Sequence, residues 1–142
     1  MRSVIKLAFL CLLSLDVQAD ANLAKKFEQE CTSSFELIRK NQPHVFLKGL
    51  PNELSEAERK KAISYVNKRH KKYIQKGNGW SLLEYAKGVE VDADHRYVEL
   101  FNASKTYRAY FNMTQKNKKQ TKRYVHCDFA KVNGEWYLVK LP

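Results

Sequence analysis

Five side chains able to exchange protons fall at alternating positions in two stretches near the C-terminal end of this chain: Arg108 and Tyr110 in one, Tyr124, His126 and Asp128 in the other. Alternation puts the members of each set on one face of a strand. On neighbouring strands at the mouth of a cone-shaped sheet, Tyr110, Tyr124 and His126 would line a pocket, with His126 as general base and Asp128 or a tyrosine beside it. Two considerations weigh against catalysis. His126 and Asp128, two residues apart on one strand, start about 6–7 Å from each other. Tyrosines side by side on an exposed sheet face commonly serve as cross-strand pairs.

The second chemistry is charge. The chain of 142 residues carries 26 Lys and Arg against 15 Asp and Glu, a net +11. Between Ser55 and Lys76 the basic residues Lys60, Lys61, Lys68, Arg69, Lys71 and Lys72 join Arg59 and Lys76 against only Glu56 and Glu58. The stretch Lys116, Lys118, Lys119, Lys122 and Arg123 adds five more with no acid among them. Such a field attracts an anionic partner, an acidic protein or an anionic envelope polymer. The plain alternative is a solvated helix face and a soluble hairpin tip, with lysines protecting a sheet edge. Nucleic acid is disfavoured, because its single-strand binders interleave accessible aromatics with basic residues, and Tyr65 and Tyr73 are equally suited to a core.

No metal or cofactor is expected. His44, His70 and His95 are scattered at no ligand spacing and read as surface residues; no Gly-rich phosphate loop, nucleophile elbow or CxxC pair occurs. Hydrophobic residues at 44% and charged residues at 29% describe one globular domain rather than a disordered tail or an integral membrane protein. Residues 1–19, with Arg2 and Lys6 ahead of an apolar run that ends in Val17-Gln18-Ala19, read as a secretory signal peptide cleaved after Ala19. The run is too short to span a membrane, so residues 20–142 form a single exported domain, periplasmic or secreted, without a transmembrane segment. Oligomeric state has no signature here. Cys31 and Cys127 remain after cleavage, and an even pair in an oxidising compartment is read as a disulfide. Two separate buried thiols are the alternative.

The elements that position these groups follow from periodicity. Leu23, Phe27, Cys31, Phe35 and Ile38 recur every three or four residues and predict a helix over 20–40 with Cys31 facing the core. A connection over 41–52 tucks Val45, Phe46 and Leu47 against the domain. Ser55 and Glu58 form a capping box opening a second helix, which runs to about Gln75 and stops at Gly77. Thereafter the period falls to two, predicting strands at 80–91, 95–102, 105–115, 121–131 and 135–141, with Asn133-Gly134 as a type I′ turn. Tyr107, Ala109, Phe111 and Met113 face inward with Val125, Cys127 and Phe129; Arg108, Tyr110, Asn112, Tyr124, His126 and Asp128 face outward. The fold class is α+β: N-terminal helices packed on a curved antiparallel sheet of about five strands.

The helix entry Pro51-Asn52-Glu53-Leu54-Ser55, the break Lys76-Gly77-Asn78-Gly79-Trp80 and the closing Ala130-Lys131-Val132-Asn133-Gly134-Glu135-Trp136-Tyr137-Leu138-Val139 resemble small secreted bacterial domains of unknown function in the cystatin-like, or nuclear transport factor 2-like, superfamily. The resemblance covers residues 22–141 and implies a cone of helices and sheet. It implies no activity, since members of that superfamily include enzymes, binding modules and scaffolds. The leading functional expectation is therefore an exported, non-enzymatic binding module with a basic surface. The alternative is a small cone-fold enzyme of isomerase or dehydratase type, its pocket near Tyr110, Tyr124 and His126.

Overall fold

The computed structural model describes residues 3–76, 79–115 and 123–142, with side chains from residue 20 onward except residues 82 and 83. The predicted stop at Gly77 and the hairpin tip with Lys116, Lys118, Lys119 and Lys122 lie outside the described residues. Helix α1 spans Ser3–Arg39. Its stripe of Phe27, Cys31, Phe35 and Ile38 is buried, as the spacing predicts. Asn41 closes the helix in the left-handed region at φ 51°. There the Gln42 N–H reaches back to Leu37 O at 2.8 Å and the Asn41 N–H to Ile38 O at 3.2 Å, a Schellman closure.

Pro43 then starts a short helix α2, Pro43–Lys48, where its fixed φ suits the first turn. Phe46 is buried, but Val45, expected to tuck inward, is 51% exposed. Helix α3, Glu56–His70, opens with the expected capping box: the Ser55 N–H donates to Glu58 Oε2 at 2.9 Å and the Glu58 N–H to Ser55 Oγ at 3.3 Å. It continues through a π-helical turn, Lys71–Gln75, that buries Tyr73.

Strands β1 (Trp80–Asp92), β2 (Lys105–Gln115), β3 (Arg123–Val132) and β4 (Glu135–Lys140) pair antiparallel in sequence order. The β3–β4 turn holds Asn133 at φ 51° and Gly134 at φ 83°, the two positive values a type I′ turn requires. The α+β class read from the sequence stands, with helices followed by a curled antiparallel sheet. One element differs. Residues 95–102, read as a strand, form helix α4, His95–Phe101, which leaves four strands among the described residues. The side chain of Asp94 caps α4 by accepting the Arg96 N–H, and Asn102 ends it at φ 54°. Tyr97 and Phe101, four residues apart, are its buried pair.

The sheet divides two hydrophobic clusters. Phe27, Cys31, Phe35, Ile38, Val66 and Tyr73 from the helices meet Ala109, Phe111, Met113, Val125, Cys127 and Phe129 on one face, the inward set that alternation assigned. Phe27 sits at the centre, its ring 4.4 Å from Phe129, 4.5 Å from Tyr107 and 5.3 Å from Trp136. Tyr97, Phe101, Ala103, Ala130 and Val132 form a smaller cluster where α4 covers part of the other face. Cys31 and Cys127 are joined by a disulfide with their Cα atoms 5.9 Å apart. Among the described residues no helix is long and apolar enough to cross a membrane.

The bridge spans 96 residues of sequence. Closing so long a loop removes unfolded-chain entropy worth roughly 4–5 kcal/mol, and native strain or residual structure lowers that figure. The Cys31→Ala/Cys127→Ala variant is expected to lose about 2–5 kcal/mol in urea unfolding monitored by tryptophan fluorescence. A midpoint equal to that of the oxidised protein would refute a stabilising role for the bridge.

Candidate functional site

Two groups of polar side chains emerge from this frame. The first lies on the outward face of the sheet. Cross-strand register places Lys87, Tyr110 and His126 in one row, and Arg108, Asp128 and Lys140 in the next. The Tyr110 ring stacks on Tyr124 at 5.0 Å and lies 5.1 Å from His126, with Lys87 Nζ 5.4 Å from its centre. The structure thus brings Tyr110, Tyr124 and His126 together as a ladder of rings. Tyr124 is 52% exposed.

Asp128, expected on the solvent side, is fully buried. The reason is α4, which carries Tyr97 over it. The Tyr97 hydroxyl donates to Asp128 Oδ2 at 2.7 Å. Burial, and then Asp128, push that phenol well above the usual tyrosine range. Arg108 lies between two carboxylates: its Nη2 donates to Asp94 Oδ2 at 3.2 Å, and its Nε faces Asp128 Oδ1 at 3.4 Å. The second contact is an ion pair without hydrogen-bond alignment. Arg96 Nε donates to Asp94 Oδ1 and holds that carboxyl below the usual aspartate range.

His126 is the would-be base, and its Nε2 is already engaged. Lys140 Nζ donates to it at 2.7 Å, while Asp128 Oδ1 stands 3.3 Å away. The imidazole is kept below its ordinary pKa by burial first; Asp128 opposes the shift and Lys140, Arg108 and Arg69 add to it. A neutral ring whose acceptor nitrogen takes an ammonium hydrogen is a structural acceptor. Lys140 is itself lowered, by burial first.

The second group gathers at the C-terminal end of α3. Arg69 Nη1 donates to the Tyr73 hydroxyl at 2.8 Å, and its guanidinium lies 4.8 Å from the Tyr65 ring. Lys72 Nζ and the Arg123 guanidinium approach the same Tyr73 ring at 5.7 and 5.8 Å. Helix and strand β3 therefore deliver three cations around one tyrosine. Lys72 is held below the usual lysine range by desolvation first, then by Arg123, Arg69 and Lys76. The remaining basic residues of α3 do not join them. Lys60, Lys68 and Lys71 border a shallow dimple on another side of the helix, and Lys60 pairs with Glu56 at 2.8 Å. Lys61 points to the α4 side. His70, read as a surface residue, is half-buried and donates from Nδ1 to Ile38 O at 2.8 Å, tying α3 to the end of α1.

Sequence reasoning missed Tyr97 and Lys140. Tyr97 was hidden by the strand reading of 95–102. Lys140 owes its place to a register shift opposite Asp128 and Phe129 that no sequence pattern announces. Among the described residues no group of His, Cys, Asp or Glu could hold a metal ion. No protein-family model, curated protein or solved structure matches the chain.

Tyr97→Phe removes a hydrogen bond to a buried carboxylate and is expected to lower stability by about 1.5–3 kcal/mol in urea titration. A loss below 0.5 kcal/mol, roughly the noise of a surface change, would mean water or Arg108 replaces the phenol. The folded protein binds a proton on His126 less readily than the unfolded chain, whose histidine titrates near ~6.5. This group's contribution to stability is therefore intact above about pH 6.5 and lost as the pH falls toward the lowered folded value. Proton NMR should find the His126 midpoint below about 6.5 and moved upward in Lys140→Met, which deletes a neighbouring cation. A midpoint at or above the ordinary value in the wild type would contradict the buried, neutral ring.

Proposed function

We propose that this chain is an exported, non-enzymatic binding module that holds an anionic partner, an acidic protein or an anionic envelope polymer, on the basic end of α3. The observation that carries the reading is the convergence of Arg69, Lys72 and Arg123 on the Tyr73 ring. Cations on a helix C-terminus are explained by the helix dipole, but Arg123 comes from a strand and has no such reason to be there. Cations brought together from two elements raise the local positive potential, which attracts an anion. The intramolecular disulfide and the leader-like pattern of residues 1–19 support export. The Tyr110, Tyr124 and His126 ladder contributes a flat, part-exposed neighbour rather than a reaction centre.

The test is retention on immobilised heparin and on immobilised polyglutamate, which represent the polymer and the acidic-protein partner. The wild type should bind both at low salt and lose affinity as salt rises. Each basic residue near an anionic surface contributes about 1 kcal/mol, so Lys72→Gln/Arg123→Gln should weaken binding by about tenfold to thirtyfold. Lys60→Gln/Lys68→Gln, which removes the same number of charges from another side of the helix, should change it by less than about twofold. Equal losses in the two variants would reduce the site to non-specific net charge and overturn the reading.

A further inference from the structure

A groove of about 390 Å³ runs between α3 and α4, floored by the end of β4. Its walls are Leu50, Leu54, Ala62, Leu100 and Val139, which are only partly buried and so leave apolar surface facing water. Lys61, Arg96 and Lys140 supply the cations of its lining, and Glu58 and Glu99 the anions. Both anions are engaged at the rim: Glu58 Oε2 accepts from the Ser55 N–H and hydroxyl, and Glu99 pairs with His95 at 3.5 Å. The lining side chains by themselves sum to one net positive charge, and Asp94 stands behind Arg96.

The floor is a built feature. Phe129 pairs with Leu138 but Asp128 pairs with Lys140, so β4 carries one extra residue there. A regular strand sends consecutive side chains to opposite faces, whereas this bulge lets Val139 and Lys140 line the same groove. An apolar residue and an ammonium thus sit side by side at one end. Lys140 gives one hydrogen to His126 Nε2 and has two more to offer. Arg96 is anchored through Nε by Asp94, which leaves its terminal nitrogens to turn toward a ligand.

The geometry points to a binding site for a small monocarboxylate amphiphile, its alkyl chain along Leu50, Leu54, Leu100 and Val139 and its carboxylate between Lys140 and Arg96. Lys140 and Arg96 supply cations for one carboxylate, while Glu58, Glu99 and Asp94 nearby disfavour a dianionic head. This site adjoins the basic end of α3 through Tyr65, on which Arg69 stacks, but neither Lys72 nor Arg123 lines it, so it does not depend on that reading.

Calorimetry and NMR titration of the oxidised protein with decanoate below its micelle concentration test the assignment. Saturable binding is expected, with shifts centred on Ala62, Leu100 and Val139. Octanoate, shorter by two methylenes, should bind roughly tenfold more weakly. Decanol and decyltrimethylammonium, which lack the anionic head, should each bind at least about tenfold more weakly than decanoate. Lys140→Gln should erase the preference for decanoate over decanol. Since that change also disturbs His126, Ala62→Trp fills the groove with every cation in place and should abolish binding while Lys72→Gln/Arg123→Gln leaves it intact. Equal affinity for decanoate and decanol, or undiminished binding by Ala62→Trp, would overturn the site. So would a concentration-dependent dimer dissolved by Ala62→Trp, which would assign the groove to a second copy of the chain.

Discussion

The bond between Cys31 and Cys127 decides which side of the sheet is inside. Cys31 belongs to the apolar stripe of α1, so the strand residue it joins must face that helix. A strand repeats every two residues, and therefore Val125 and Phe129 face α1 with Cys127 while Tyr124, His126 and Asp128 face away. The antiparallel register hands the same choice to β2, where Ala109 lies opposite Cys127 and Tyr110 opposite His126. One covalent link and a period of two thus orient the central strands. Phe27, packed among Tyr107, Phe129 and Trp136, supplies the noncovalent half of the same constraint.

The face turned away from α1 is handled in two ways. Where α4 lies over it, polar groups are buried and must satisfy one another. Asp128 is supported by Tyr97 and Arg108, and Arg108 also reaches Asp94, the cap of the covering helix. The helix that shields the carboxylate is therefore tied to it through a shared arginine. Where α4 does not reach, the tyrosine ladder stays open to water. His126 stands at the boundary, partly buried, with Lys140 on its acceptor nitrogen. Tyr97, Arg108, Asp128, His126 and Lys140 thus hold one another in place.

Charge on α3 has a local and a non-local part. Glu56 and Glu58 in the first turn and Lys68, Arg69 and His70 in the last complement the helix dipole, and need nothing beyond the helix. The remaining cations surround the helix instead of forming a stripe, so its sides do different work. One pairs internally at Glu56, another closes the groove against α4, and the third meets Arg123 at Tyr73. A stretch that reads as one basic run is three environments.

Most of the elements were legible in one dimension because their signals are local. The stripe of α1, the Ser55–Glu58 box, the Asn133-Gly134 turn and the strands at 80, 105, 123 and 135 depend on neighbours within about four residues. Residues 95–102 failed because a seven-residue helix gives barely two turns of periodicity, and Tyr97, Val98 and Phe101 satisfy a strand pattern nearly as well. By itself, then, the sequence determined the class of fold, the paired cysteines, the inward set of each central strand and a strongly basic surface. Only the tertiary structure decided that Asp128 is buried, that Arg123 joins α3, and that Lys140 shares a groove with Val139. Each of these depends on which distant element comes to rest on a side chain, and local preference carries no information about that.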